Sequence, residues 1–73
     1  MSPGLPLISG KAAVQALEHA GFAPVSTRGS HQKLRGPEGR IVIVPLHREL
    51  KRGTLASILR QAGLTAEEFQ ALL

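Results

Sequence analysis

The stretch Gly29-Ser30-His31-Gln32-Lys33-Leu34-Arg35 decides the fold of this 73-residue chain. Side chains of a β-strand alternate between the two faces of its sheet. His31, Lys33 and Arg35 therefore share one face if the stretch enters a strand, and Leu34 lies on the other. Since helices can cover only one face of a small sheet, we expect Leu34 to point to the covered face and the basic residues to the open one.

Patterns on both sides of this stretch predict a helix followed by an antiparallel meander of three strands. Ser9 is a suitable N-cap, and apolar residues recur at helical spacing after it. Strong turn residues stand at 36–39, and β-branched residues follow them. A bulge near Gly29 would reverse the face assigned to His31. The predicted segments are a helix at Gly10 to Ala20 and strands at Phe22 to Thr27, His31 to Arg35 and Arg40 to Val44.

The C-terminal third predicts two further helices after a polar loop from Leu46 to Arg52. Gly53-Thr54 opens the first of them, whose apolar residues recur at i, i+3, i+4 and i+7. Thr65-Ala66-Glu67-Glu68 is a capping box that starts a short last helix, with Phe69 packing inward. We therefore expect a single domain over residues 1–73, a two-layer α+β sandwich of order α-β-β-β-α with a short extra C-terminal helix, preceded by an irregular arm at 1–8.

The charge balance favours a polyanionic partner. Nine Lys and Arg against five acidic residues give a formal net charge of +4 and a sequence pI near 10.8. Most of the basic residues cluster between residues 28 and 52, whereas the only charged residues among the last ten are Glu67 and Glu68. The chain has no Tyr or Trp and two Phe, so aromatic platforms for base stacking are poorly supplied.

The composition also indicates the cellular compartment of the protein. The chain has no cysteine, which excludes a disulfide or a thiolate metal site. The residues before Ser9 lack the basic region and long apolar core of a signal peptide, and no run is long enough to span a membrane. A cytoplasmic protein without membrane association is the expectation.

His31 is the strongest candidate for chemistry. Histidine transfers protons near neutral pH, and it can take a proton from an RNA 2′-hydroxyl or give one to a departing 5′ oxygen. Lys33, Arg35 and Arg28 can neutralise charge on the phosphate. The alternative interpretation is an ordinary solvated strand surface, with a surface histidine and solvated cations. Gly29 and Ser30 are expected to shape the turn beside the site.

A second basic cluster precedes the predicted second helix. Free amides and the macrodipole at a helix N-terminus attract phosphate, and Lys51 and Arg52 add to that field. These residues are expected to bind backbone without reading sequence. His47 is a candidate for a second acid/base group, although a hydrogen-bonded loop histidine is the favoured interpretation. His19 is expected to lie opposite the apolar stripe of the first helix.

The sequence lacks the residue patterns that other catalytic chemistries need. The histidines have no metal-ligand spacing and no nearby carboxylate pair, so no zinc site is expected. The glutamates are scattered and Asp is absent, which disfavours a two-metal nuclease. No phosphate-binding glycine loop or Ser–His–Asp arrangement is present. We expect neither a metal nor a small-molecule cofactor.

Seven short motifs, in order and at matching spacing, make the chain from about residue 8 to 73 resemble the HicA toxins. They are Ser9-Gly10-Lys11, Gly21-Phe22, Gly29-Ser30-His31, Val44-Pro45-Leu46-His47, Gly53-Thr54-Leu55, Ile58-Leu59 and Ala62-Gly63-Leu64. The resemblance implies a fold like a double-stranded-RNA-binding domain. It also implies an mRNA interferase that is held inactive by an antitoxin called HicB.

The resemblance also implies that His31, in the Gly-Ser-His motif, is the active histidine. Many relatives have His or Tyr at the next position, where this chain has Gln32; we expect little effect on cleavage because that residue points to the other face. The leading hypothesis is a metal-independent endoribonuclease that cuts mRNA. The alternatives are a non-catalytic double-stranded-RNA-binding module and a protein-interaction domain.

Overall fold

A computed structural model describes residues 7–73, and these residues form three α-helices and three β-strands. The first six residues of the predicted N-terminal arm lie outside the described part. The element order confirms the predicted α+β class and its α-β-β-β-α layout. The elements are α1 (Gly10–His19), β1 (Ala23–Arg28), β2 (His31–Arg35), β3 (Ile41–Pro45), α2 (Arg52–Ala62) and α3 (Ala66–Gln70).

The three strands form one antiparallel sheet with β2 in the middle. Leu34 is fully buried, and its partner Val42 on β3 is buried with it. The predicted parity is therefore confirmed: Leu34 faces the core, while His31 and Lys33 are exposed. Apolar residues from all three helices complete this core.

The β1–β2 hairpin turns through Gly29 and Ser30, because Arg28 pairs with His31. Gly29 has φ +58°, a conformation that residues with a Cβ rarely adopt. The register shift in this hairpin lies farther from the turn, between Pro24 and Ser26, and leaves one extra residue in β1. Because the bulge is in β1, the face assigned to His31 on β2 is unaffected.

The polar loop predicted from Leu46 to Arg52 was wrong at two positions. Leu50 is 1% exposed and belongs to the core, and its amide donates to the carbonyl of Ile8 at 2.8 Å. Arg52 is already the first residue of α2, whose N-cap is Lys51. Smaller shifts occur at the strand ends: β1 continues to Arg28 and β3 includes Pro45.

The outer edges of the sheet differ. Every residue of β1 is exposed, and no helix has extensive contact with this strand. The edge formed by β3 is partly covered by α2: the backbone N–H of Ile43 donates to Oε1 of Gln61 at 3.0 Å. Arg40, before β3, donates to the backbone oxygen of the same glutamine at 3.4 Å. In addition to packing on the covered face, the helix layer is thus hydrogen-bonded to the sheet at its β3 edge.

The predicted capping box starts α3. Glu68 N–H donates to the Thr65 hydroxyl at 3.0 Å, and Thr65 N–H donates to the Glu68 carboxylate at 2.9 Å. Phe69 follows and is fully buried, as predicted. The hydrogen bond from the Thr65 backbone N–H is the main cause that lowers the pKa of the Glu68 carboxyl, and interaction with the Thr65 side chain lowers it further.

Candidate active site

The open face of the sheet carries a shallow depression of about 320 Å³. Its lining brings together two of the predicted phosphate-binding cations and the predicted catalytic histidine. An imidazole beside two cations can exchange a proton with a group on a bound phosphodiester. The residues that line it are Ser26, Arg28, His31, Lys33 and Ile43.

Strand pairing places these side chains next to one another. Arg28 is opposite His31, and Ser26 is opposite Lys33, so these four residues occupy neighbouring positions on one face. Ile43 is opposite Lys33 on the other side and is 39% exposed. The bulge in β1 keeps Pro24 opposite Leu34 on the helix side, whereas Ser26 and Arg28 lie on the open face.

Sequence reasoning did not predict Ser26 and Ile43 as part of the site. Ile43 alternates with buried Val42 and Val44, so its open-face position could have been read from the strand pattern. Ser26 gave no such signal, because its pairing with Lys33 depends on the position of the bulge.

His47 lies beside His31, with ring centroids 6.4 Å apart and ring planes at 73°. Two backbone hydrogen bonds hold its loop in place. The N–H of Leu46 donates to the carbonyl of Ser30 at 2.6 Å, and the N–H of Gly10 donates to the carbonyl of His47 at 2.8 Å. The favoured interpretation of His47 as a hydrogen-bonded loop histidine is confirmed for its backbone alone: within residues 7–73 its ring lies beside that of His31 and makes no hydrogen bond.

The remaining predicted phosphate-binding residues lie outside the depression. Arg35 is exposed on the same face as His31, but four residues along β2, or about 13 Å at the usual strand rise. Lys51 is the N-cap of α2, and Arg52 begins that helix; both are exposed. The predicted basic residues thus divide into a pair at His31 and three peripheral cations.

The other residues singled out from the sequence occupy supporting positions. Gly29 and Ser30 form the turn next to His31. Gln32 is half-buried on the helix side, and its amide nitrogen donates to the Thr27 hydroxyl at 3.3 Å. His19 is exposed on α1, where its Nδ1 lies 3.1 Å from the carbonyl oxygen of Leu72.

Residues 7–73 contain no group of three or more His, Cys, Asp or Glu side chains placed to hold a metal ion. In the same part of the chain, none of the helices has the length and apolar character needed to cross a membrane.

Comparison with models of protein families matches residues 10–64 to the family described as the HicA toxin of bacterial toxin–antitoxin systems. The chain belongs to the HicA toxin family. A search of curated proteins gave no match. The matched region includes α1, the whole sheet and α2, and therefore both His31 and His47.

Membership of the HicA toxin family makes this chain a toxin of a toxin–antitoxin system, with an antitoxin as its partner. The helix α3 follows the matched region. Its Phe69 is nevertheless buried, so α3 packs into the same core as the matched region.

Proposed function

We propose that this HicA toxin is an endoribonuclease that cuts mRNA, with His31 as a catalytic acid/base. The observation that carries the proposal is the depression in which the His31 imidazole lies beside Arg28 and Lys33. An exposed imidazole can reach the 2′-hydroxyl of a ribose, and flanking cations can hold the adjacent phosphate that this hydroxyl attacks.

The reaction needs only groups that the RNA and the protein supply. The 2′ oxygen loses its proton to a base and attacks the adjacent phosphorus, the bond from phosphorus to the 5′ oxygen breaks, and that oxygen receives a proton. Lys33 and Arg28 neutralise the charge that grows on the phosphoryl oxygens. The products are a 2′,3′-cyclic phosphate and a 5′-hydroxyl, and no divalent cation takes part.

Recognition in this proposal uses the RNA backbone. Arg35, Lys51 and Arg52 bind phosphates that flank the scissile one. Both phenylalanines of the chain are buried, and Tyr and Trp are absent, so the described surface offers no Phe, Tyr or Trp side chain for stacking a base. We therefore expect affinity to depend strongly on salt concentration and weakly on base sequence.

The decisive test is incubation of purified protein with a long single-stranded RNA in EDTA. His31→Ala, checked for folding by circular dichroism, is the matched variant. Cutting by the wild type, with at least a 100-fold loss in the variant, supports the proposal. Equal cutting by both proteins, cutting that stops in EDTA, or 5′-phosphate ends would refute this mechanism.

The second candidate is a non-catalytic double-stranded-RNA-binding module, which the α-β-β-β-α layout and the basic start of α2 favour. Such a module binds RNA in a gel shift, cuts nothing, and tolerates His31→Ala. The same preparation therefore separates the two functions.

The proposed antitoxin is HicB-like and covers the His31 face with an acidic surface that takes the place of phosphate. In the complex, His31 should be protected from diethylpyrocarbonate, whereas His19 on α1 should keep its reactivity. Full modification of His31 in the complex would mean that the antitoxin inhibits by another route.

A further inference from the structure

We infer that His47 is the second proton-transfer group of this site, so that His31 and His47 act as an acid–base pair. The inference rests on the proposed ribonuclease function. It starts from the 6.4 Å separation of the two imidazole centroids, although the residues are 16 positions apart in the sequence.

The position of His47 follows from the backbone. His31 is opposite Pro45 at the end of β3, and the hydrogen bond from Leu46 to Ser30 extends the pairing one residue further. Because side chains of an extended segment alternate between faces, His47 lies on the same face as Pro45 and His31. The hydrogen bond from Gly10 to the carbonyl of His47 fixes the loop against the start of α1.

The two rings are suitably placed for one phosphodiester. Acid–base catalysis needs each ring nitrogen within about 2.6–3.2 Å of the oxygen whose proton it moves. An RNA linkage laid across the adjacent rings presents the 2′ oxygen of one ribose to one ring and the 5′ oxygen of the next nucleotide to the other. Neither ring hydrogen-bonds another residue within 7–73, so their nitrogens are available to the substrate.

The proton balance needs no further reactant. One neutral imidazole takes the proton of the 2′-hydroxyl as the 2′ oxygen bonds to phosphorus. The other, as an imidazolium, gives a proton to the 5′ oxygen as its bond to phosphorus breaks. Hydrolysis of the cyclic phosphate by water would reverse these roles and restore both protonation states.

The pair predicts a bell-shaped dependence of kcat/KM on pH, because histidine is the side chain whose charge ordinarily changes between pH 5 and 8. Other charged residues lie on the elements around the pair. They are Lys11 on α1, Arg28 on β1, Lys33 on β2, and Arg48 and Glu49 in the loop after β3.

The test measures kcat/KM against pH for the wild type, His47→Ala and His47→Asn, with His19→Ala as the control. We expect both His47 variants to lose about 10²–10⁴-fold in kcat/KM and one limb of the bell, since neither side chain can transfer the proton. His19→Ala should keep the wild-type rate and both limbs, because His19 lies in the last turn of α1 and its ring is beside the carbonyl of Leu72. Circular dichroism checks that each variant folds.

A substrate with a 4-nitrophenol leaving group identifies the role of His47. This leaving group needs no proton. If the His47 variants lose little kcat/KM on this substrate, His47 is the acid; if they lose as much as on RNA, His47 is the base. A folded His47→Asn that keeps both limbs and a rate within threefold of the wild type would overturn the inference. If the wild type itself cuts no RNA, the proposed function has failed instead.

Discussion

The two faces of the sheet are built from the same three strands, yet alternate residues have opposite environments. On the helix side, Leu34, Val42 and Val44 are each fully buried. On the open side, His31 and Lys33 are exposed and line a depression. We expect this difference to separate stability from the proposed activity: truncating a helix-side residue should lower the free energy of unfolding, and truncating an open-face residue should lower activity alone.

The largest expected effect on stability is at Leu34. Leu34→Ala leaves a cavity at the centre of a small core and should lower the free energy of unfolding by about 2–5 kcal/mol. Its neighbour Lys33→Ala, on the other face, should change that energy by no more than about 0.5 kcal/mol. Urea denaturation of both variants tests the contrast. Similar losses at the two positions would show that the faces do not divide the roles in this way.

The next effect concerns Gly10, where the helix layer meets the loop that carries His47. A Cβ on Gly10 would collide with the backbone of Pro45 and Leu46, so Gly10→Ala should cost about 1–3 kcal/mol. It should also reduce RNA cutting, because the loop must shift. Gly53→Ala is the matched control: a Cβ there meets nothing within 4 Å, and the change should stabilise by about 0.4–1 kcal/mol.

A Gly10→Ala variant as stable as the wild type in thermal and urea denaturation would contradict the close approach of α1 to this loop. A variant that is destabilised but fully active would instead show that the position of His47 is unimportant for cutting.

A smaller effect distinguishes two cations on the open face. Lys33 lines the depression and Arg35 does not. Lys33→Ala should therefore weaken binding of single-stranded RNA several-fold, and remove about 0.7 from the slope of log K against log salt for the phosphate contact it loses. Arg35→Ala should have less effect on cutting. Fluorescence titrations at several salt concentrations measure both, and equal effects on cutting would place the scissile phosphate between the two residues.

The smallest expected effect is the pH response of the capping box of α3. Because the folded-state pKa of Glu68 is lowered, its contribution to stability is present above the usual carboxyl range and is lost as pH falls through the lowered value. Glu68→Gln should therefore reduce stability slightly at neutral pH and match the wild type in strong acid. Thermal melts across pH measure this difference, and a difference that grows in acid would contradict the assignment.

The face of the sheet on which each side chain of β2 lies was predictable, because it depends on the alternation of neighbouring residues in the sequence. Leu34 was the only large apolar side chain in its stretch, so burying it fixed the face of His31. The capping box was similarly predictable, because both of its partners lie within four residues.

The wrong and missed residues depend on contacts between distant segments. Leu50 stands among charged residues without an apolar period, and its burial requires the backbone of Ile8 to lie beside it. The proximity of His31 and His47 requires alternation to continue past Pro45, beyond the predicted end of the third strand at Val44. Local patterns contain neither piece of information.

The unequal edges of the sheet have a consequence for self-association. An exposed strand edge is a template on which other chains can add a strand and aggregate. Here β1 has Pro24, which lacks an N–H, and a bulge, so the hydrogen-bonding groups along its outer edge are irregularly spaced. At the other edge, the amide of Ile43 is already occupied by the Gln61 side chain. Both edges of this one-sided sheet thus carry features that disfavour the addition of a further strand, while its basic face stays open to solvent.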